Sequence, residues 1–374
     1  MPWQERDRMS LREEFVVLAS REGAKVRDLC RRYGISPKTG YKWLSRYQQA
    51  GSAGLEDRSR RPHHSPKQTS PQVEEAVLAV RRQNPWGGRK IRDRLLAQGE
   101  DSVPPASTIT GILRRHGCLV AQESEKHQAW ARFEQAAPNE MWQMDFKELP
   151  GKGQALTSLD DHSRFALILQ ACPNKKTATV RDQLIAAFRR YGLPRSVLVD
   201  NGPPWGTGGA AHPYTALTVW LIRLGIRPIH SRPYHPQTLG KQERFHRTLE
   251  FEVLRGYPCE TLEQYQHRFD AWRHVYNFDR PHQALAGQVP ARRYQPSQRS
   301  YPEQLPLLEY GPEDIVRKVR DGGRMNFRGR TLRISQAFDG YPVAIRATAR
   351  DGQFEVYFAH QRIASLDLGT QVSE

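Results

Sequence analysis

The sequence predicts a multidomain chain: α-helical modules first, then an α/β core with a mixed sheet, and last a small all-β barrel. Three observations predict this order. The chain is 374 residues long, enough for two to four domains. Apolar residues recur at helical spacing up to His116, and from Met141 onward strand-like and helical segments alternate. After residue 313, short alternating segments are divided by Asp321-Gly322-Gly323, Arg328-Gly329, Asp339-Gly340 and Asp351-Gly352. Those four turn signals imply about five short strands.

Charge narrows the partner. Lys and Arg number 57 against 40 for Asp and Glu, a net charge of +17, which favours a polyanion such as nucleic acid over a merely soluble surface. Four cysteines (Cys30, Cys118, Cys172, Cys259) stand far apart without a Cys-x-x-Cys pair. That spacing speaks against a zinc knuckle or a disulfide framework and fits a reducing cytosol. No apolar run approaches the ~20 residues of a bilayer span, and no signal-peptide core opens the chain, so a soluble cytoplasmic protein is expected.

Residues 1–52 read as a helix-turn-helix DNA-binding module. Val26, Leu29, Cys30 and Tyr33 share a helix face, Gly34-Ile35 turns the chain, and Ser36 caps a second helix with Pro37 at its first position. That helix directs Trp43, Leu44 and Tyr47 inward and exposes Lys38, Thr39, Lys42 and Arg46, as a major-groove reader requires. Residues 53–70 are a linker by composition. Arg58, Arg60 and Arg61 also suit an arm lying in a minor groove.

Residues 71–125 are helical and basic. Val73, Val77, Leu78 and Val80 mark one helix, Ile91, Leu95 and Leu96 a second, and Ser107 is the expected cap of a third. Arg89, Lys90, Arg92, Arg114 and Arg115 are candidate phosphate contacts. Residues 126–300 form the α/β core, with strands near Asp145, 154–159, 164–171, Asp200 and 228–230. Helices are expected at 179–191, 215–224, from Gln242 to about Arg255, and at 261–276. Residues 301–374 make the barrel; Arg317, Lys318, Arg320, Arg324, Arg328, Arg330 and Arg333 suit DNA or contacts between protomers.

Three carboxylates carry the chemistry. Asp145 lies in the apolar strand Met141-Trp142-Gln143-Met144-Asp145-Phe146. Asp200 ends the β-branched run Ser196-Val197-Leu198-Val199, which Asn201-Gly202 stops. Glu243 opens a helix whose apolar stripe is Phe245, Leu249 and Val253, while Glu243, Arg247 and Glu250 share another face. Alone, Glu243 would pass for a surface pair with Arg247. Together the three can converge on hard cations, since carboxylates are ionised, oxygen-only ligands. Asp160-Asp161 read as a turn between strands, and Asp182 as surface.

At these residues the chain resembles insertion-sequence transposases of the Asp-Asp-Glu superfamily, whose core is shared with retroviral integrases. The resemblance is carried by Trp142-Gln143-Met144-Asp145, Leu159-Asp160-Asp161-His162-Ser163-Arg164, Val199-Asp200-Asn201-Gly202 and His235-Pro236-Gln237-Thr238. Glu243-Arg244-Phe245-His246-Arg247-Thr248-Leu249 and Tyr276-Asn277-Phe278-Asp279-Arg280-Pro281-His282-Gln283-Ala284-Leu285 complete it. It implies a ribonuclease H-like core, a second helix-turn-helix over 71–125, and Asp145, Asp200 and Glu243 as catalytic ligands of two Mg²⁺ ions, with Mn²⁺ as a substitute. It implies binding of the terminal inverted repeats of an element and hydrolysis at its ends. The freed 3′-hydroxyl is then transferred to target DNA without a covalent enzyme intermediate. At least two protomers on DNA, at the bacterial nucleoid, follow from pairing two ends.

Beside that site, Lys241, Arg244 and Arg247 are expected to position phosphates. His235 and Gln237 belong to the adjoining loop, as DNA contacts or as loop structure. Two departures stand out. The stretch between Asp200 and Glu243 is longer than in many relatives, the surplus falling in Pro203–Tyr214, and Glu250 stands where relatives often carry Lys or Arg. The rival readings are an inactive transposase-derived DNA-binding regulator and a plain ribonuclease H-like nuclease; the complete carboxylate triad disfavours the first, the N-terminal modules the second.

Overall fold

The computed structural model describes residues 8–57, 69–119, 133–151, 153–207, 214–231, 240–255 and 259–368. Arg58, Arg60, Arg61, His235 and Gln237, with half of the Pro203–Tyr214 surplus, lie outside the described residues. The chain divides into two compact units, Met1–Gln68 and Thr69–Glu374.

In the first unit, α1 (Arg8–Ala19), α2 (Val26–Arg32) and α3 (Pro37–Ala50) close around Phe15, Val16, Cys30, Trp43 and Leu55. Gly34 turns α2 into α3 at a φ of 64°, the left-handed region that favours glycine. Ser36 Oγ accepts a hydrogen bond from the Thr39 backbone N–H at 3.2 Å, and Pro37 takes the first helical position. The helices cross at Gly40, where any Cβ would run into Cys30 Sγ and the Phe15 ring.

The second unit opens with α4 (Pro71–Gln83), α5 (Gly88–Ala97) and α6 (Ala106–Arg115), packed on Val77, Trp86, Ile91, Leu95, Ile109 and Leu113. One expectation needs correction. Pro105, with extended backbone, precedes α6, so Ser107 lies within the first turn and makes no cap. Ile91, Leu95 and Leu96 all fall in α5, the first two buried and Leu96 47% exposed.

The core sheet comprises β1 (Met141–Glu148), β2 (Gln154–Asp160), β3 (Ala166–Cys172), β4 (Ser196–Val199) and β5 (Arg227–His230), ordered β3-β2-β1-β4-β5. β1 and β2, like β2 and β3, are antiparallel, while β1 pairs with β4 and β4 with β5 in parallel. This is the mixed sheet of a ribonuclease H-like fold. Alternation along the strands sends Trp142, Met144 and Leu156 to one face, where α7 (Thr177–Tyr191) and α8 (Ala216–Arg223) cover them. Ala155, Leu159 and Leu169 go to the other, under α9 (Gly240–Leu249) and α10 (Leu262–Phe278). Trp205, from the surplus segment, is buried in the first face beside Phe146, so that part of the segment is core rather than surface loop.

The α9 helix ends differently from the regular one expected. Residues Glu250–Leu254 form a π-helical turn, and the buried series becomes Phe245, Leu249, Leu254 in place of Phe245, Leu249, Val253. A wider turn brings the next inward position one residue later. Glu252 is thereby drawn inside, where it pairs with Arg280 at 3.0 Å and accepts from Trp272 Nε1 at 2.9 Å.

The C-terminal segment has six strands among the described residues: β6 (Ile315–Lys318), β7 (Arg324–Phe327), β8 (Arg330–Arg333), β9 (Pro342–Ala347), β10 (Gln353–Phe358) and β11 (Gln361–Asp367). They form an antiparallel sheet β11-β10-β9-β6 and a separate β7-β8 ribbon, not the single five-stranded barrel expected. A backbone bridge between Arg320 and Arg324 ties the ribbon to the segment after β6, and the Phe327 and Phe354 rings meet edge to face across ribbon and sheet. That core also takes in Val219 and Ile222 of α8.

Candidate active site and nucleic-acid surface

Two neighbouring strands that run parallel, β1 and β4, place the two aspartates. Asp145 is on the α9 side of β1, paired in register with Thr157 of β2. Asp200 follows the last residue of β4, beside β1. Burial pushes Asp145 up to about 6; the negative charges of Asp200 and Glu243 add to this, while the Phe146 backbone N–H and the Lys175 ammonium oppose it. Burial likewise raises Asp200, against the Gly202 N–H, Lys175 and His230. Among the described residues, the buried Asp200 Oδ1 has no hydrogen-bond partner. Glu243 is exposed on α9. Among the described residues, no three Asp, Glu, His or Cys side chains form a closed metal-binding set. What the fold brings together is a close acidic pair with a third carboxylate acting on Asp145 more weakly.

Several neighbours carry no signal in the sequence. Lys175, in the loop after β3, lays its ammonium 5.2 Å from the Phe146 ring centre and acts on both Asp145 and Asp200. His246 Nε2 meets Thr157 Oγ1 at 2.8 Å while Nδ1 stands 3.8 Å from Asp145; burial lowers this imidazole to about 4, so it is neutral. His230 Nδ1 lies 3.0 Å from the Asp200 carbonyl. A lysine in a polar loop, or a histidine on a helix, looks like surface until the topology sets it against a carboxylate.

Asp160 and Asp161 are wholly buried and serve structure. Asp160 accepts from the Asn139 N–H at 2.7 Å and from Ser163 N and Oγ at 2.8 and 2.6 Å. Asp161 accepts from the Gln135 N–H and Gln143 Nε2, both at 2.7 Å, and holds the Lys241 ammonium. Asp182 is exposed, and Glu250 pairs with Lys147 at 3.1 Å.

The expected DNA contacts separate into free and engaged cations. Lys38 and Lys42 are exposed on α3, Thr39 bonds the Ser36 cap, and Lys42 and Arg46 lie over Trp43 at 4.4 and 5.0 Å. Arg89, Arg114, Arg244 and Arg247 are exposed. Arg115 pairs with Glu74. Two of the candidate residues are engaged within the fold. Lys90 is turned toward Arg280 and Glu252, and burial first, then Arg280, lowers it to about 8. Lys241 is half-buried, its side chain 17% exposed, and its ammonium pairs with Asp161. The arginines of β7 and β8, with Arg317, Lys318 and Arg320, are all exposed.

Matches to known families follow the same segments. A helix-turn-helix domain matches residues 12–63 and a homeodomain-like domain 39–113. Integrase core domains match 135–236 and 224–290, and the C-terminal domain of IS481 family transposases matches 314–374. The chain carries helix-turn-helix, integrase core and IS481-family transposase C-terminal domains. A putative transposase for insertion sequence element IS5376 of Geobacillus stearothermophilus is 23% identical over 96% of this chain and 88% of its own. An insertion element IS407 protein of Burkholderia multivorans is 26% identical over 58% and 79%. A simian T-cell lymphotropic virus intasome chain aligns at a TM-score of 0.38 and 13% identity, over 77% of this chain and 95% of its own. The matched segments run from residue 12 to residue 374, and among the described residues no helix is long and apolar enough to cross a membrane.

Proposed function

We propose that this chain is an active transposase that binds the inverted repeats ending its own element, hydrolyses phosphodiester bonds there and transfers the freed 3′-hydroxyls to target DNA. The observation that carries the reading is the half-buried Asp145–Asp200 pair, Asp145 within β1 and Asp200 just past the parallel strand β4, with the charge of Glu243 on α9 also acting on Asp145. Their donor chemistry fits a hard divalent cation. All three groups are carboxylates, and among the described residues the buried Asp200 Oδ1 has no hydrogen-bond donor.

Asp145, Asp200 and Glu243 would hold two Mg²⁺ ions, or Mn²⁺, which when bound polarise the scissile phosphate and activate the attacking hydroxyl or water. Protein groups supply the remainder. The exposed Arg244 and Arg247 on α9 bind phosphates beside the site, and α3, α6 and the linker arginines position the element's end. Neutral His246 and Thr157 hold the Asp145 segment against α9. Pairing two ends calls for at least two protomers, acting in the bacterial cytoplasm at the nucleoid.

The test is cleavage and strand transfer by the purified full chain with Mg²⁺ and labelled DNA from the flanks of its own gene, beside Glu243→Gln. Site-defined nicks with free 3′-hydroxyls and joined products, both absent with the variant, are expected. Specific binding without cleavage by either protein, in Mg²⁺ and Mn²⁺ and with paired ends supplied, would instead establish a DNA-binding regulator.

A further inference from the structure

Two successive residues of α9 are pegged into the sheet immediately before Glu243. Asp161, just past the end of β2, is fully buried and fixed on three sides. Its backbone N–H donates to the Met141 carbonyl at 3.0 Å, Gln143 Nε2 donates to Oδ1, and the Gln135 N–H donates to Oδ2. The Lys241 ammonium reaches both Oδ1 and the Asp161 carbonyl, the latter at 3.2 Å. Gln242 is also fully buried; its amide donates to the Gln143 carbonyl and its Oε1 lies 3.1 Å from Thr157 Oγ1. Around the pair stand Arg164 and Glu134, themselves joined at 2.8 Å. Each helical residue turns the chain by about 100°, so fixing residues 241 and 242 fixes the direction in which residue 243 leaves the helix.

We infer that the Asp161–Lys241 ion pair is a positioning latch for Glu243, holding the first turn of α9 in the rotation that presents the carboxylate to Asp145 and Asp200. The inference rests on the proposed catalytic role of Glu243. A buried carboxylate deprived of its cation is strongly disfavoured, so the pair holds its geometry where an exposed lysine would wander. Lys241 acts through Glu243 as a positioning residue and makes no phosphate contact of its own.

The test compares Lys241→Gln, Lys241→Arg, Asp161→Asn and the double variant Asp161→Asn/Lys241→Gln with the wild-type full chain. Melting temperature, DNA affinity across a salt series and single-turnover cleavage in Mg²⁺ are measured, with Glu243→Gln alongside. Lys241→Gln should slow cleavage of bound DNA by about ten- to a hundredfold, the cost of a small misplacement, and leave DNA affinity and its salt dependence unchanged. Lys241→Arg should retain most of the rate. The double variant, whose two amides can bond each other, should recover rate relative to either neutral single variant, and it remains informative if a single variant melts low. If Lys241→Gln instead lowers the salt slope by about one phosphate contact while bound DNA is cleaved normally, the latch is overturned and Lys241 is a DNA ligand. A double variant that melts normally yet is as slow as the singles also overturns it. Should Glu243→Gln cleave like wild type, the catalytic reading fails first, and that result is separable from a failure of the latch.

Discussion

Asp145 shows how much a single residue depends on its strand. Period-two alternation puts Trp142, Met144 and Phe146 on the α7 side of β1 and Gln143 and Asp145 on the α9 side, so the carboxylate faces the helix that carries Glu243. Strand pattern and spacing made both aspartates legible in the sequence. Lys175 was not, because only the return of β3 to the same sheet edge brings its loop near them. Its position leads to a prediction with two signs. Lys175→Ala removes a cation that opposes metal binding and attracts phosphate. Mn²⁺ affinity measured by calorimetry should therefore tighten by about three- to fivefold, and affinity for end DNA should weaken by a similar factor, each near 1 kcal/mol of charge interaction. A fold defect would weaken both.

At the scale of elements, helical periodicity located α9 and its apolar stripe but ran past the point where the helix widens. Nothing in the local pattern from Glu250 to Leu254 distinguishes a π turn from an α turn. The decision comes from Arg280 and Trp272, distant in sequence, which draw Glu252 inward. Side-chain exposures of 5% for Glu252 and 8% for Arg280 make this a buried pair, and breaking one side of such a pair costs about 3–5 kcal/mol. Glu252→Ala should lower the melting temperature accordingly, and adding Arg280→Met should restore part of the loss. If Glu252→Ala melts like wild type, Glu252 does not hold the turn. The same distinction governs Ser107, which has the right residue type for a cap but lost that place to Pro105.

Across the whole molecule, the second helical segment and the core share one compact unit, joined where Arg94 pairs with Asp279 at 2.8 Å and Lys90 approaches Arg280. His282 lies in the same cationic junction, edge-on to Tyr276 at 4.7 Å. Burial first, then Arg280, lowers it to about 3. An unfolded histidine titrates near 6.5, so between the two values the unfolded chain binds a proton that the folded chain refuses. Stability from this group is therefore present above about pH 6.5 and lost as pH falls toward 3. Melting temperature should drop across that window, and less steeply in His282→Gln than in wild type; identical slopes would remove His282 as a source of the acid sensitivity.

The sequence by itself determined the order of the architectures, the strand that carries Asp145, the strand end that carries Asp200, the helix that carries Glu243 and the basic helix α3. These follow from local periodicity, turn chemistry and charge, which act over a few residues. Only the tertiary structure decided that Lys241 and Lys90 are engaged within the fold, that Lys175 and His246 attend the acidic pair, and that the last strands split into a sheet and a ribbon. Those outcomes depend on which distant groups share a buried space, where an unpaired charge or an unfilled volume is too costly to leave.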